Sequence, residues 1–545
     1  MKHFVNLTEN VVTEALDGLL RTSHPGTLAR LDTYPDIKIV LRADWDKSKV
    51  AIISGGGAGH EPSHAGFVGA HMLTAAVSGE IFASPSVEAV LTAIRAVTGT
   101  SGCLLIVKNY TGDRLNFGLA AEKARSEGFD VEMVIVADDV ALPDIPQPRG
   151  VAGTLFVHKI AGHMAGNGKS LKEIHAAVTQ VARDIASLGV SLSSCAIPGR
   201  ASEERLGPAE GEIGLGIHGE PGIERIPLQE LHAIVSTMAD RIVPRLDTGE
   251  EYAVIINNLG AVPPIEMGVI ANTLMSSPLA GHVSMIIGPA PLMTALNMNG
   301  FSLSFLRLDD ARKAALMAPV GPMAWTPAVT AHQIEVMPAP QGPDAIIVEA
   351  SSDAMTKAYL SAICERLIAM EAELNALDAR IGDGDTGSTL SAGARALLAD
   401  IDQLPLADPA ALMTVIGARL ATVMGGSSGV LLSIFFTAAG QEHARSGRVD
   451  KALLAGLERM MFYGGARAGD RTMIDALEPA LKALAAADLA AAVKAARTGA
   501  DMTATMTRAK AGRSTYLAAR DLEGIADPGA VAVAAVFEAA RAATS

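Results

Sequence analysis

The chain has 545 residues, 49% of them hydrophobic and 19% charged, enough for about three folding units at roughly 100–200 residues each. Lys and Arg number 44 against 59 Asp and Glu, a formal charge of -15, which is the wrong sign for a protein that holds a nucleic-acid backbone. An acidic chain can still bind one anionic nucleotide, through metal ions, backbone N–H groups and a few placed cations.

The 3 cysteines, Cys103, Cys195 and Cys364, form no CxxC pair, so neither a disulfide framework nor a zinc site is expected, and the thiols suit a reducing compartment. Lys2, Glu9, Glu14 and Asp17 interrupt the first twenty residues, which therefore do not read as a signal peptide. A cytoplasmic location is expected. Two uncharged runs, 267–306 and 420–441, are broken by Pro278, Pro289 and Pro291 and by a central glycine-serine cluster, so neither reads as a membrane span.

Through residue 330 or so, β-branched runs (50–54, 103–107, 131–137) alternate with amphipathic stretches, an α/β pattern. Prolines 338, 340 and 343 then mark a linker after Val336. Beyond it Ala, Leu and Met recur at helical spacing and strand runs vanish, which predicts an all-helical C-terminal domain.

Within the α/β part, the strand ending at Ser54 runs into Gly55-Gly56-Gly57-Ala58-Gly59-His60-Glu61-Pro62. This reads as a glycine loop that lets a ligand approach closely, a phosphate cradle on that evidence alone, or as a tight strand-to-helix turn, with His60 at its lip. Residues 162–170 end like a Walker motif, but His163 stands where that motif has its first glycine and the flanks read helical; a helix connection is expected. Lys108-Asn109-Tyr110-Thr111-Gly112-Asp113 follows a strand, where open α/β sheets bind ligands, and Asp113 is a candidate acid or base. His218 lies in a second glycine-dense loop, 214–222.

In the helical part, Asp378, Asp383 and Asp385 fall within eight residues, separated by glycines that let the chain fold back onto one hard cation. Gly425-Gly426-Ser427-Ser428-Gly429 opens an apolar helix, an arrangement that suits an anion. With Gly469-Asp470-Arg471-Thr472, Gly512-Arg513-Ser514 and Asp527-Pro528-Gly529 it supplies amides and cations around the predicted metal. The residues alone thus point to phosphoryl transfer, with a nucleotide-metal domain and a separate small-molecule domain.

Taken together, SGGGAGHEP, GEIFASPS, KNYTGD, GIHGEPG, IGDGDTGST, MGGSSG, GDRTM and DPGA resemble, in order and over nearly the whole chain, the fused ATP-dependent dihydroxyacetone (glycerone) kinase family. The resemblance implies a two-part α/β substrate domain over 1–336, with a break near 185–200, a linker over 337–352, and a helical barrel over 353–545 that binds ATP. It also implies a homodimer formed through the N-terminal domain, and moves the glycine segment from phosphate to sugar. On the family pattern Nε2 of His218 holds the ketose as a covalent hemiaminal. Gly57, Ala58, Gly59, His60, Lys108 and Asp113 match substrate contacts, His60 and Asp113 hydrogen-bond the substrate, and Asp113 takes the hydroxyl proton.

By the same resemblance Asp378, Asp383 and Asp385 carry two Mg2+ ions. Thr386, Gly387, Ser388, Thr389, Ser427, Ser428, Gly464, Thr472, Met473, Arg513, Asp527 and Gly529 fall where the family contacts nucleotide. Ala58 stands where many members have Ser, and Thr386 where others have His or Cys, departures that bear on fine specificity. The expected reaction makes dihydroxyacetone phosphate; the alternatives are an erythrulose kinase and, more remotely, a sugar-sensing regulator without catalysis.

Overall fold

The computed structural model of the chain describes residues 3–142, 147–200, 205–340, 349–486 and 488–543. Half of the expected linker, 341–348, lies outside these described residues. Two compact units divide at residue 336, Met1–Val336 and Met337–Ser545.

In the first unit the apolar runs form two sheets. One contains β1 (Leu28–Arg30), β2 (Lys38–Arg42), β3 (Ala51–Ala58), β4 (Ala75–Ile81), β5 (Cys103–Lys108) and β6 (Val131–Val136), in the order β1-β2-β4-β3-β5-β6. Its β4, β3, β5 and β6 run parallel, and every residue of β3 and β5 is buried, as expected for strands covered on both faces. The second contains β7 (Ile185–Ser191), β8 (Glu210–Ile213), β9 (Glu224–Pro227), β10 (Tyr252–Asn258), β11 (Val283–Ala290), β12 (Gly300–Arg307) and β13 (Val329–Thr330), in the order β13-β11-β10-β12-β7-β8-β9. Only β10 and β11 pair in parallel among them. Ile52, Leu104 and Val136 of the first sheet share one core with Ile185, Ile255 and Leu306 of the second. For that reason the two sheets make a single unit rather than two of the three expected from length.

The glycine segment departs from expectation. Instead of turning after Ser54, β3 continues to Ala58 and pairs with β4 as far as Ile81. A Cβ on Gly55 would stand 2.2 Å from the Val77 carbonyl oxygen, and one on Gly57 2.8 Å from the Phe82 backbone. The glycines therefore let a buried strand run hard against its neighbour. The Walker-like segment caps a helix: Thr154–Gly166 leads to Leu171–Arg183 through a capping box of Ser170 and Glu173.

The second unit is helical. Ala354–Ala369, Thr386–Ala399, Pro409–Val423, Gly426–Ser446, Val449–Gly464, Ile474–Ala485, Leu489–Thr503 and Pro528–Ala542 each pack on the next, and the last packs on the first, closing a barrel. Small residues make the close crossings possible: a Cβ on Gly456 would meet the Phe435 carbonyl oxygen at 2.6 Å. Leu390, Leu420 and Met424 fill one core and Phe435, Leu457 and Leu477 another. Among the described residues no helix is long and apolar enough to cross a membrane.

Candidate active site

In the first unit, the end of β3, the start of the helix Thr111–Ser126 after β5, and the loop after β8 bring polar groups together. His60 is fully buried and its Nδ1 lies 2.8 Å from the Thr294 carbonyl oxygen. A carbonyl only accepts, so Nδ1 carries the hydrogen and Nε2, buried without a protein partner, keeps its lone pair. The His218 ring centroid is 4.9 Å from that of His60, 4.1 Å from that of Tyr110 and 5.5 Å from that of Phe82. Burial, then the nearby Lys108 charge, hold His218 down to about 3 and His60 well below the usual imidazole range. Both rings are neutral at pH 7.

Lys108 and Asp113 meet over Gly56, whose absent Cβ would sit 3.1 Å from Lys108 Nζ and 3.4 Å from Asp113 Oδ2. Both are buried. Burial lowers Lys108, with Asp113, Glu220 and Glu61 pulling the other way. It raises Asp113, against the pull of Lys108 and of the Ser84 hydroxyl that donates to Oδ1. Lys108 Nζ has no hydrogen-bond partner in the protein. A neutral nucleophilic imidazole, a carboxylate beside an ammonium and an open acceptor nitrogen thus converge, a set suited to capturing a carbonyl compound and removing a hydroxyl proton.

In the second unit, ligand atoms of Asp378, Asp383 and Asp385 all lie within 4.8 Å of one another. Asp378 Oδ2 accepts from the backbone N–H groups of Gly384, Asp385 and Thr386 at 3.0–3.1 Å, which pins the turn. Three hard oxygen donors so close fit a hard divalent cation. They border a cavity of about 780 Å3 whose rim includes Thr386, Thr389, Ser427, Ser428, Gly464, Thr472, Met473, Asp527 and Gly529. Ser427 and Ser428 occupy the first turn of the helix Gly426–Ser446, where free N–H groups favour an anion. Burial pushes the Asp527 carboxyl up to about 6 against the pull of the Ala530 N–H and Arg471.

Two domain models match this chain: the Dak1 domain over residues 20–324 and the DAK2 domain over residues 380–542. This chain belongs to the dihydroxyacetone kinase family. It is 50% identical over 541 residues to dihydroxyacetone kinase of Citrobacter freundii, covering 98% of each chain. To triokinase/FMN cyclase of Homo sapiens it is 41% identical over 576 residues, covering 99% of this chain and 98% of the other. The crystal structure of the C. freundii kinase in complex with AMP-PNP and Mg2+ matches with a TM-score of 0.76 at 48% identity, covering 99% of each chain.

Not every residue expected from the family pattern reaches these sites. Gly387 and Ser388 do not line the cavity. Gly387 packs against the Glu371 carbonyl oxygen, and Ser388 hydrogen-bonds Asn375 and Glu371. The Arg513 side chain lies outside the described part of the structure. Gly57 and Gly59 serve by lacking a side chain, since a Cβ on Gly59 would stand 2.8 Å from the Phe82 ring.

Three other residues of the family's motif strings, Phe82, Ser84 and Tyr110, were not singled out as site residues. They surround His218 and Asp113 from within GEIFASPS and KNYTGD. Arg471, from GDRTM and among the cations expected around the metal, lines the cavity beside Asp378, Asp383 and Asp385 although only 1% exposed. Its Nη2 donates to the Ile525 carbonyl at 2.6 Å, while Nε and Nη1 are buried without a partner. The signal that could have found Phe82, Ser84 and Tyr110 is adjacency: each sits within three residues of a strand end or of a residue that was singled out.

Proposed function

We propose that this chain transfers the γ-phosphate of ATP to a hydroxyl of a short-chain ketose, dihydroxyacetone foremost, held as a covalent hemiaminal on Nε2 of His218. Family membership makes it an ATP-dependent kinase; the substrate and the covalent step are our reading. The observation that carries it is the neutral His218 ring, 4.9 Å from the open-acceptor imidazole of His60. A carbonyl-selective anchor of this kind takes ketoses and leaves glycerol, which has no carbonyl.

His60 Nε2 accepts a hydrogen bond from the bound ketose. Asp113, its carboxylate kept available by Lys108, takes the proton of the hydroxyl that attacks phosphorus. Gly57, Ala58 and Gly59 form the wall of the sugar site, through backbone alone at the two glycines. In the helical unit Asp378, Asp383 and Asp385 would hold two Mg2+ ions, whose charge would offset that of the ATP phosphates. Thr386, Thr389, Ser427, Ser428, Thr472, Met473 and Asp527 surround the nucleotide. The protein works in the cytoplasm as a homodimer formed through its N-terminal unit.

The test is ADP release with Mg2+-ATP against dihydroxyacetone, L- and D-erythrulose and glycerol. We expect dihydroxyacetone to give the highest kcat/KM and glycerol none. Asp383→Ala should lose about 100-fold or more of kcat, in the range found when a group stabilising transition-state charge is removed. His218→Ala should raise the ketose KM. Full activity of His218→Ala at low ketose would overturn the covalent step, and a better tetrulose would replace the substrate while leaving the chemistry.

A further inference from the structure

The loop carrying His218 folds back so that Glu220 reaches the residue two positions before it. Its Oε2 accepts the His218 backbone N–H at 2.7 Å, and its Oε1 lies 3.9 Å from Nδ1 of the same ring. Gly216 makes room: a Cβ there would stand 2.3 Å from Oε1. The loop is buttressed from behind. Arg205 donates to the Gly219 carbonyl and to Glu212, and Glu212 accepts the Gly222 N–H.

The two histidines of the site are therefore set differently. A backbone carbonyl fixes the tautomer of His60. His218 has a carboxylate 3.9 Å from Nδ1 instead, too far for a hydrogen bond, and its field favours hydrogen on Nδ1. That tautomer leaves the lone pair on Nε2.

We propose that Glu220 is a positioning residue for His218: it holds the tautomer whose Nε2 attacks the ketose and carries the positive charge of the resulting adduct. This rests on the hemiaminal reading above. As the Nε2 lone pair forms the bond to the carbonyl carbon, the C=O π pair moves to oxygen, which takes one proton from solvent and becomes a hydroxyl. The ring keeps Nδ1–H and becomes an imidazolium facing Glu220. Among the described residues, the charged or titratable groups around this pair are Lys108, with Asp113 and Glu61 near it, and Arg205, Glu212, Cys195, Tyr110 and His60. Lys108 opposes a cation on the ring, Asp113 faces Lys108 and Arg205 is occupied by Glu212, so Glu220, 3.9 Å from Nδ1, is the carboxylate placed to offset the new charge.

The experiment is 13C NMR of the full-length protein with C2-labelled dihydroxyacetone, without ATP, in which adduct formation moves C2 from the ketone to the sp3 region. Glu220→Gln keeps an oxygen for the His218 N–H and removes only the charge. We expect it to need about tenfold more ketose for equal occupancy at pH 7.5, the loss of one opposed charge pair near a protein surface. Its adduct should also fade at a lower pH than the wild-type adduct, since the imidazolium gives up its Nδ1 proton more readily. In turnover, KM for ketose should rise with kcat largely kept, and Mg2+-ATP binding should be unchanged.

If Glu220→Gln matched the wild type in occupancy and pH dependence, Glu220 would have no such role while the hemiaminal stood. A uniform loss at every pH, with no change in the pH profile, would assign Glu220 a purely structural part and overturn the proposal. Absence of any sp3 signal in the wild type, with His218→Ala as the baseline, would defeat the hemiaminal reading itself.

Discussion

Arg471 is the largest of the fully buried side chains and the backbone at this residue has φ 63°. Burying a guanidinium with two nitrogens unbonded is costly unless a ligand answers it. Its place on the wall of the cavity beside Asp378, Asp383 and Asp385, where we propose the nucleotide binds, makes phosphate oxygens the fitting partner. Arg471→Met should raise KM for ATP by about 10-fold to 100-fold, from roughly 1.5–3 kcal/mol for a hydrogen bond to a charged group, and leave KM for the ketose unchanged. Steady-state kinetics with each substrate varied in turn separates the two. Histidines make a second case. Burial holds His218 and His158 down to about 3, below the ordinary 6.5. A lowered imidazole pKa means that the folded state prefers the neutral ring, so this contribution to stability is complete above about 6.5 and is lost as pH falls towards 3. The thermal midpoint of the N-terminal unit should therefore drop between pH 7 and pH 4. In His158→Gln, which keeps a polar group near Ser54, the drop should be smaller.

At the level of elements, legibility followed sequence distance. The metal turn could be read because its three carboxylates are neighbours in the chain, and the strand at 103–107 because both its faces are covered and every position is apolar. The glycine segment misled because glycine signals a turn when the partner strand is unknown; only the pairing of β3 with β4 shows why glycine is needed inside a strand. Gly55→Ala places a methyl 2.2 Å from the Val77 carbonyl. It should destabilise the N-terminal unit by about 1–3 kcal/mol, the range for an overpacked core, measured by urea unfolding. An unchanged midpoint would show that the strand can move aside. Contacts between distant segments could not be read at all. The tautomer of His60 depends on Thr294, 234 residues away, and no local pattern announces that a carbonyl will arrive there. The order of strands in the two sheets is hidden for the same reason.

For the molecule as a whole, each unit has its own cores: Ile52, Leu104 and Ile255 lie in the first, and Leu390, Leu420 and Phe435 in the second. A chain built in this way should unfold in two steps, each sensitive to its own ligand, because a ligand stabilises only the part that binds it. Mg2+-ATP at one hundred times its dissociation constant adds about 2.7 kcal/mol to the helical unit alone. For about 200 residues that is a rise of roughly 5–10 °C in one calorimetric transition. Dihydroxyacetone should raise the other. His218→Ala should abolish the ketose shift and leave the nucleotide shift intact, and Asp383→Ala should do the reverse. A single transition that moves with either ligand would instead mean that the units unfold as one, and that the separate cores do not set the stability of each.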